Sequence, residues 1–97
     1  MSFINLDKVI GKLRNPNNSI FERKEAAKLL SQSGSDAAVD ALIDFLPDPT
    51  LRLDVVIALG RLAKPKALKY LLTTLFDSVD EVKLEIIRAI RKIGDSK

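Results

Sequence analysis

The chain has 97 residues, of which 46% are hydrophobic, 5% are aromatic and 30% are charged, and its formal net charge is +3. It contains no cysteine and no histidine, which excludes disulfides, zinc sites of the usual Cys/His kinds, cysteine nucleophiles and histidine acid–base catalysis. A core of Leu, Ile, Val and Ala with few rings is typical of a helical bundle or solenoid.

The charge is uneven along the chain, and the hydropathy pattern bears on whether the chain contacts a membrane. Residues 1–50 carry six Lys/Arg against seven Asp/Glu, whereas residues 51–97 carry ten against six, so the C-terminal half is basic. No charge-free apolar run is long enough to span a bilayer, and an Asp interrupts the opening MSFINLDKV, unlike a secretory signal. We therefore expect a cytoplasmic protein with no membrane contact.

A polar loop separates the first two predicted helices. The opening helix is expected at about residues 5–13, where apolar residues recur at helical spacing, and it ends at the Asn-Pro-Asn-Asn loop of residues 15–18. Ser19 and Glu22 form an S-x-x-E capping box that starts the second helix. Gly34 is expected to end that helix.

The next three helices follow the same two apolar patterns in alternation. A third helix at about residues 35–46 repeats the spacing of the opening helix. Asp48 is expected to cap the fourth helix with Pro49 in its first position, and Pro65 should begin the fifth in the same way. The fifth helix repeats the pattern of the first and third, with an expected core face of Leu68, Leu71, Leu72 and Leu75.

A repeat of about thirty residues organises the whole chain. Residues 51–62 and 82–93 carry the same apolar stripe 31 residues apart, which is the signature of a helical repeat array. The sixth helix should begin at a second capping box, Ser78 with Glu81, and end at Gly94. We predict one all-α domain over residues 1–97, a right-handed solenoid of antiparallel hairpins with a leading helix at 5–13, hairpins at about 19–47 and 48–77, and a closing helix at about 79–94.

These residues resemble the short HEAT-like repeats typified by phycobilisome lyases. The match weakens in the first hairpin, where Glu22 stands at an apolar position that the neighbouring Phe21 is expected to fill. Because the shared positions serve packing, capping and turns, the resemblance implies a fold more than an activity. In the second hairpin the matching residues are Asp48, Leu51, Arg52, Val55, Ala58, Leu59, Gly60, Leu62, Pro65, Ala67, Leu71, Leu75 and Asp77.

The expected function is a non-catalytic scaffold or adaptor that binds another protein, with no cofactor and no metal. The di-iron hydroxylase activity of some HEAT-like relatives uses His-Glu pairs and is not implied for a chain without histidine. The resemblance leaves open an accessory subunit of the bilin lyase or phycobilisome-degradation type. Binding of a nucleic-acid backbone is a further alternative, disfavoured by the modest net charge and scarce aromatic rings, and its candidate cations are Arg61, Lys64, Lys66, Arg88, Arg91 and Lys92.

Two candidate sites lie on the first, third and fifth helices, which the resemblance places on the concave surface. Lys69, Tyr70 and Thr73 are expected to be exposed there, with Lys69 beside Asp40. Tyr70 is either a binding anchor or a ring that closes the end of the core. A stripe of carboxylates every four residues could bind a divalent cation or form a solvated face, and it comprises Asp36, Asp40, Asp44 and Asp48.

The third candidate site lies on the last helix. Leu53 and Val56 of the fourth helix are off its main apolar stripe, where they can pack against the next repeat, and the register maps them onto Leu84 and Ile87. Terminal repeats usually present a polar outer face. We therefore expect an association edge for a second copy or another protein, with Arg88 and Arg91 beside it. The alternatives are cover by the C-terminal tail or a minor exposed patch.

Overall fold

The computed structural model describes residues 5–95, and these fold entirely as helices and turns. The all-α prediction is therefore confirmed for the described part of the chain. A short 3₁₀ turn, Pro65–Ala67, precedes the fifth helix. The six α-helices are α1 (Leu6–Arg14), α2 (Ile20–Leu30), α3 (Asp36–Ile43), α4 (Arg52–Leu62), α5 (Leu68–Leu75) and α6 (Asp80–Gly94).

The helices pack in two layers with α4 at the centre. Helices α2, α4 and α6 contact one another in sequence, and each of α1, α3 and α5 packs against the helix that follows it. Because α4 touches α2, α3 and α6, it is buried on nearly every side, including Val55, Val56, Leu59 and Gly60. This arrangement is the one expected of a helical repeat fold.

One of the two predicted caps of the first hairpin holds. The Ser19 hydroxyl accepts a hydrogen bond from the Glu22 backbone N–H, and the Glu22 carboxylate accepts one from the Ser19 N–H, both at 3.1 Å. Gly34 has a φ of +67° in the loop after α2, although the helix itself ends at Leu30. Phe21 does not fill the apolar position of Glu22, because its side chain is 70% exposed.

Two predicted caps are wrong in detail. The second capping box does not form, because the Ser78 hydroxyl donates instead to the Thr74 carbonyl at the end of α5, and Val79 becomes the N-cap residue of α6. Asp48 does not begin α4. Its carboxylate accepts hydrogen bonds from the Thr50 N–H and hydroxyl, closing a turn that precedes the helix start at Arg52.

Equivalent arginines tie each hairpin to the helix before it. The Arg23 Nε donates to the Leu13 carbonyl at 2.8 Å, and the Arg52 Nε donates to the Leu46 carbonyl at 2.6 Å. The other guanidinium nitrogens of Arg52 reach the carbonyls of Pro47 and Asp77. Leu13 lies in the last turn of α1, and the other three carbonyls lie in the turns that follow α3 and α5. These arginines therefore join the two layers at or just beyond the helix ends.

Gly60 allows α4 and α6 to approach closely. A Cβ added at Gly60 would lie 3.0 Å from both the Cα and the Cβ of Ala89. This is closer than side chains normally pack, so the hydrogen of Gly60 is what fits between the helices. Gly11 in α1, by contrast, has open space around it.

We predict that Gly60→Ala and Gly11→Ala change stability in opposite directions. Alanine favours a helix by about 1 kcal/mol over glycine, so Gly11→Ala should stabilise the protein by about 0.5–1 kcal/mol. At Gly60 the same gain is outweighed by overpacking, which costs about 1–3 kcal/mol, because the Ala89 backbone must move. Urea unfolding of both variants measures the difference. An equal gain in stability from both substitutions would contradict close packing at Gly60.

We also predict that Arg52→Met destabilises the protein by about 2–3 kcal/mol, because three carbonyls lose a charged donor. Arg52→Lys should recover part of this loss, since a lysine keeps the charge but lacks the planar fork. Arg23→Met, which removes one hydrogen bond and the contact with the Phe45 ring, is the matched control and should cost about 1–2 kcal/mol. If urea unfolding shows that Arg52→Met lowers the free energy of unfolding no more than Arg23→Met does, the three hydrogen bonds of Arg52 do not act together.

Candidate functional site

The outer face of α6 carries apolar side chains opposite the core. Val82, Ile86, Ala89 and Ile93 are buried on its inner face. Leu84 and Ile87 point the other way and remain 50% and 47% exposed. Two half-exposed aliphatic side chains therefore share the helix face on which the sequence predicts an association edge.

The equivalent repeat positions in α4 share a helix face with Gly60, the residue that meets Ala89 of α6. Val56, equivalent to Ile87, is fully buried, and Leu53, equivalent to Leu84, is half-buried against the core. Both lie on α4, which packs α6 more extensively than any other helix. These two positions therefore lie on the face of α4 that packs against α6, and within residues 5–95 no helix covers their equivalents on α6.

Three more exposed apolar residues lie in α5 and in the turn that leads to α6. Leu72 was predicted to lie in the core, but it is 49% exposed. Its repeat equivalent in α3, Ile43, packs against the core. Phe76 and Val79, which the sequence patterns did not single out, are exposed still further. We call the surface made by Leu72, Phe76, Val79, Asp80, Leu84, Ile87, Arg88 and Arg91 the end face.

The charges on the end face are only partly paired. Arg88 donates to the Glu85 carboxylate at 2.8 Å, one turn earlier on the same helix. Arg91 and Asp80 are exposed near opposite ends of α6. The end face thus has an apolar centre with a cation toward one end of the helix and an anion at the other.

The predicted concave site is less well formed. The Lys69 ammonium lies over the Tyr70 ring, 5.1 Å from its centroid, and both side chains line a shallow open depression. The Thr73 hydroxyl donates to the Lys69 carbonyl of its own helix. The sequence predicts that Lys69 lies beside Asp40, but Lys69 does not pair with that carboxylate. Lys66, in the turn before α5, does so at 2.6 Å.

Cations from neighbouring elements neutralise the acidic stripe on α3. Lys64 and Lys66 reach Asp36 and Asp40, and Arg14 of α1 reaches Asp44. The hydrogen bond to Asp40 raises the pKa of Lys66 above its ordinary value. Within residues 5–95, no three carboxylates are grouped closely enough to hold a metal ion. At Asp36, Asp40 and Asp44 the stripe is therefore an exposed, ion-paired surface, whose pairs contribute little to stability.

The six basic residues considered for nucleic-acid binding lie in different local environments. Lys64 and Lys66 face the acidic stripe, and Arg88 faces Glu85. Arg61 lines a cleft of about 190 Å³ between α2 and α4, together with Lys28 and two carboxylates. Three of the six cations are therefore engaged with carboxylates, which leaves less charge for phosphate contacts.

The fold defines the class of protein: a small all-α helical repeat protein. Residues 22–46 match the PBS lyase HEAT-like repeat family, so this segment carries a HEAT-like repeat and the predicted resemblance is confirmed. The match covers α2 and α3, the hairpin in which the sequence departs from the repeat pattern at Glu22. No curated protein shows significant sequence similarity to the chain. None of the helices in the described part of the chain has the length and apolar content needed to cross a membrane.

Asp48 provides a prediction for the pH dependence of stability. The hydrogen bond from the Thr50 hydroxyl is the main cause that lowers the pKa of Asp48 below its ordinary 3.8. A lowered pKa in the folded state means that the ionised carboxylate stabilises the fold above the unfolded pKa, and that this stabilisation is lost as the pH falls through the folded value.

We therefore expect Asp48→Asn to lower the melting temperature at about pH 6, and the gap to the wild type to shrink as the pH falls below 3.8. Thr50→Val should also reduce the change in melting temperature between about pH 6 and acidic pH, because it removes the hydroxyl donor. Thermal unfolding followed by circular dichroism measures both. An equal fall in melting temperature for wild type and Asp48→Asn would show that this carboxylate does not contribute.

Proposed function

We propose that this HEAT-like module is a non-catalytic adaptor that binds another protein through the end face. The observation that carries the proposal is the half-exposure of Leu84 and Ile87 at the positions that α4 uses to bind α6. Leu72 and Phe76 enlarge the apolar area beside them. Several large apolar side chains on one surface are typical of an interaction site rather than of isolated exposed residues.

The packing of α4 indicates which kind of surface the partner should present. On α4, the equivalent of the end face receives the apolar stripe of an amphipathic helix. A few side chains that are fully buried at the centre of an interface contribute most of the binding energy, and the surrounding rim excludes water. We therefore expect the partner to offer an amphipathic helix, with Arg88 and Arg91 at the rim of the interface.

The family match supports a second candidate, an accessory role beside a bilin lyase or in phycobilisome degradation. That candidate rests on the match at residues 22–46 alone, whose matching positions are packing and turn residues. The end face supports the adaptor role independently of the match. For nucleic acid no comparable feature is present in the described residues, since Lys64, Lys66 and Arg88 are ion-paired.

We predict that Leu84→Asp with Ile87→Asp abolishes partner binding while the fold survives. Both side chains point away from the core, so the helix content should be unchanged by circular dichroism. The matched control is Ile20→Asp with Phe21→Asp, which replaces two exposed apolar residues at the start of α2. Immobilised protein is used to capture proteins from an extract of the source cells, and each captured protein is then purified for calorimetric titration.

The expected result is a rise in Kd of at least about a hundredfold for the end-face variant, because two buried anchors are lost. The control should bind as the wild type does. If every purified partner binds the wild type and the end-face variant equally well, the end face is not the interaction site and the proposal is wrong.

A further inference from the structure

Four side chains on α6 form a straight stripe with opposite charges at its ends. Asp80, Leu84, Ile87 and Arg91 follow the spacing i, i+4, i+7 and i+11, which places them on one line of a helix. All four are exposed, and the buried stripe of α6 lies on the opposite side. The stripe therefore reads anion, two aliphatics, cation along the helix axis.

We propose that a second copy of this chain occupies the end face, with the two α6 helices antiparallel about a twofold axis between residues 85 and 86. This inference rests on the proposed function, since it names the partner of the same surface. In this register Leu84 faces the partner subunit's Ile87, and Asp80 faces the partner subunit's Arg91. One twofold operation thus pairs every member of the stripe with a complementary residue, as an isologous interface requires.

The identity of residue 91 argues against another repeat as the occupant. In α4 the equivalent residue is Gly60, and α6 approaches so closely there that a Cβ would lie 3.0 Å from Ala89. In α2 the equivalent is Ser31, which lines the cleft between α2 and α4 together with Ala58. A helix stacked on α6 in the same way would collide with the Arg91 side chain. The antiparallel arrangement instead places Arg91 at the end of the contact, opposite a carboxylate.

The other charge on this face does not oppose the pairing. Arg88 is adjacent to the stripe, but its guanidinium is held by Glu85 of the same helix at 2.8 Å. Leu72, Phe76 and Val79 lie on the chain just before Asp80 and are exposed. They provide additional apolar area beside the N-terminal half of α6.

The size of the surface sets the strength of the dimer. Helix α6 has 15 residues and is about 22 Å long. One helix pair of this length buries less than the roughly 800 Å² per partner of a standard stable interface. We therefore expect a dimer that dissociates in the micromolar range and whose population depends on concentration.

Charge exchange tests the register. We propose to measure Kd by sedimentation equilibrium for the wild type, Asp80→Arg, Arg91→Asp and the double exchange Asp80→Arg/Arg91→Asp. Each single change places like charges opposite each other twice per dimer, and we expect Kd to rise about tenfold or more. The double exchange restores both ion pairs and the net charge of +3, so its Kd should return to within about threefold of the wild type.

Two features of the experiment separate pairing from other effects. The double exchange puts a cation at the N-terminus of α6 and an anion near its C-terminus, which opposes the helix dipole and lowers stability. Recovery of the dimer in this less stable variant therefore cannot come from improved folding. Glu81→Arg with Lys92→Asp makes the same charge exchange off the stripe, and we expect its Kd to equal that of the wild type within about twofold.

The outcomes distinguish this inference from the proposed function. A monomeric wild type up to about millimolar concentration, or a double exchange no better than the single changes, would overturn the antiparallel dimer. Neither result touches the adaptor role, which fails only if Leu84→Asp with Ile87→Asp leaves the binding of every partner unchanged. A dimer that this same variant preserves would overturn the inference as well, because it would place self-association on another surface.

Discussion

The close approach of α4 to α6 at Gly60 is the contact on which the rest of the molecule depends. Because no side chain separates the helices at that point, Ala89 reaches the α4 backbone, and Ile86 and Ile93 are buried on the same face of α6. Helix α5 in turn packs against α6. A small chain buries only a small core. A displacement of α6 would therefore also expose the apolar residues at its contact with α5.

The arginines extend this constraint to the second layer. Arg23 bonds the end of α1 and lies over the Phe45 ring beyond α3, while Arg52 bonds the end of α3 and the Asp77 carbonyl beyond α5. Each side chain thus connects the C-terminal ends of two successive outer helices. A planar guanidinium with several donors suits this task, and it explains why a cation recurs near the start of α2 and α4.

The sequence could predict the elements that depend on local chemistry. The Ser19 capping box and the core stripe of α4 follow from spacing alone, and both are present. The errors have two causes, a competing local hydrogen bond in one case and the tertiary arrangement of the helices in the other. Ser78 is spaced to cap α6, yet its hydroxyl bonds the Thr74 carbonyl. Leu72 has the spacing of a core residue, but its exposure depends on which helices cover α5.

A single side chain changes the kind of interface that a repeat can form. The small residues Ser31 and Gly60 permit a following helix to stack in the same direction, and such a head-to-tail contact can be repeated along an array. Arg91 occupies the same position on α6, while Leu84 and Ile87 keep the apolar character of Leu53 and Val56. In the proposed dimer the outer face of α6 offers its apolar side chains to the partner, while Arg91 disfavours the stacking geometry seen at Gly60. An apolar face with that restriction favours a contact that closes on itself over one that propagates, because a twofold interface uses up the surface on both partners.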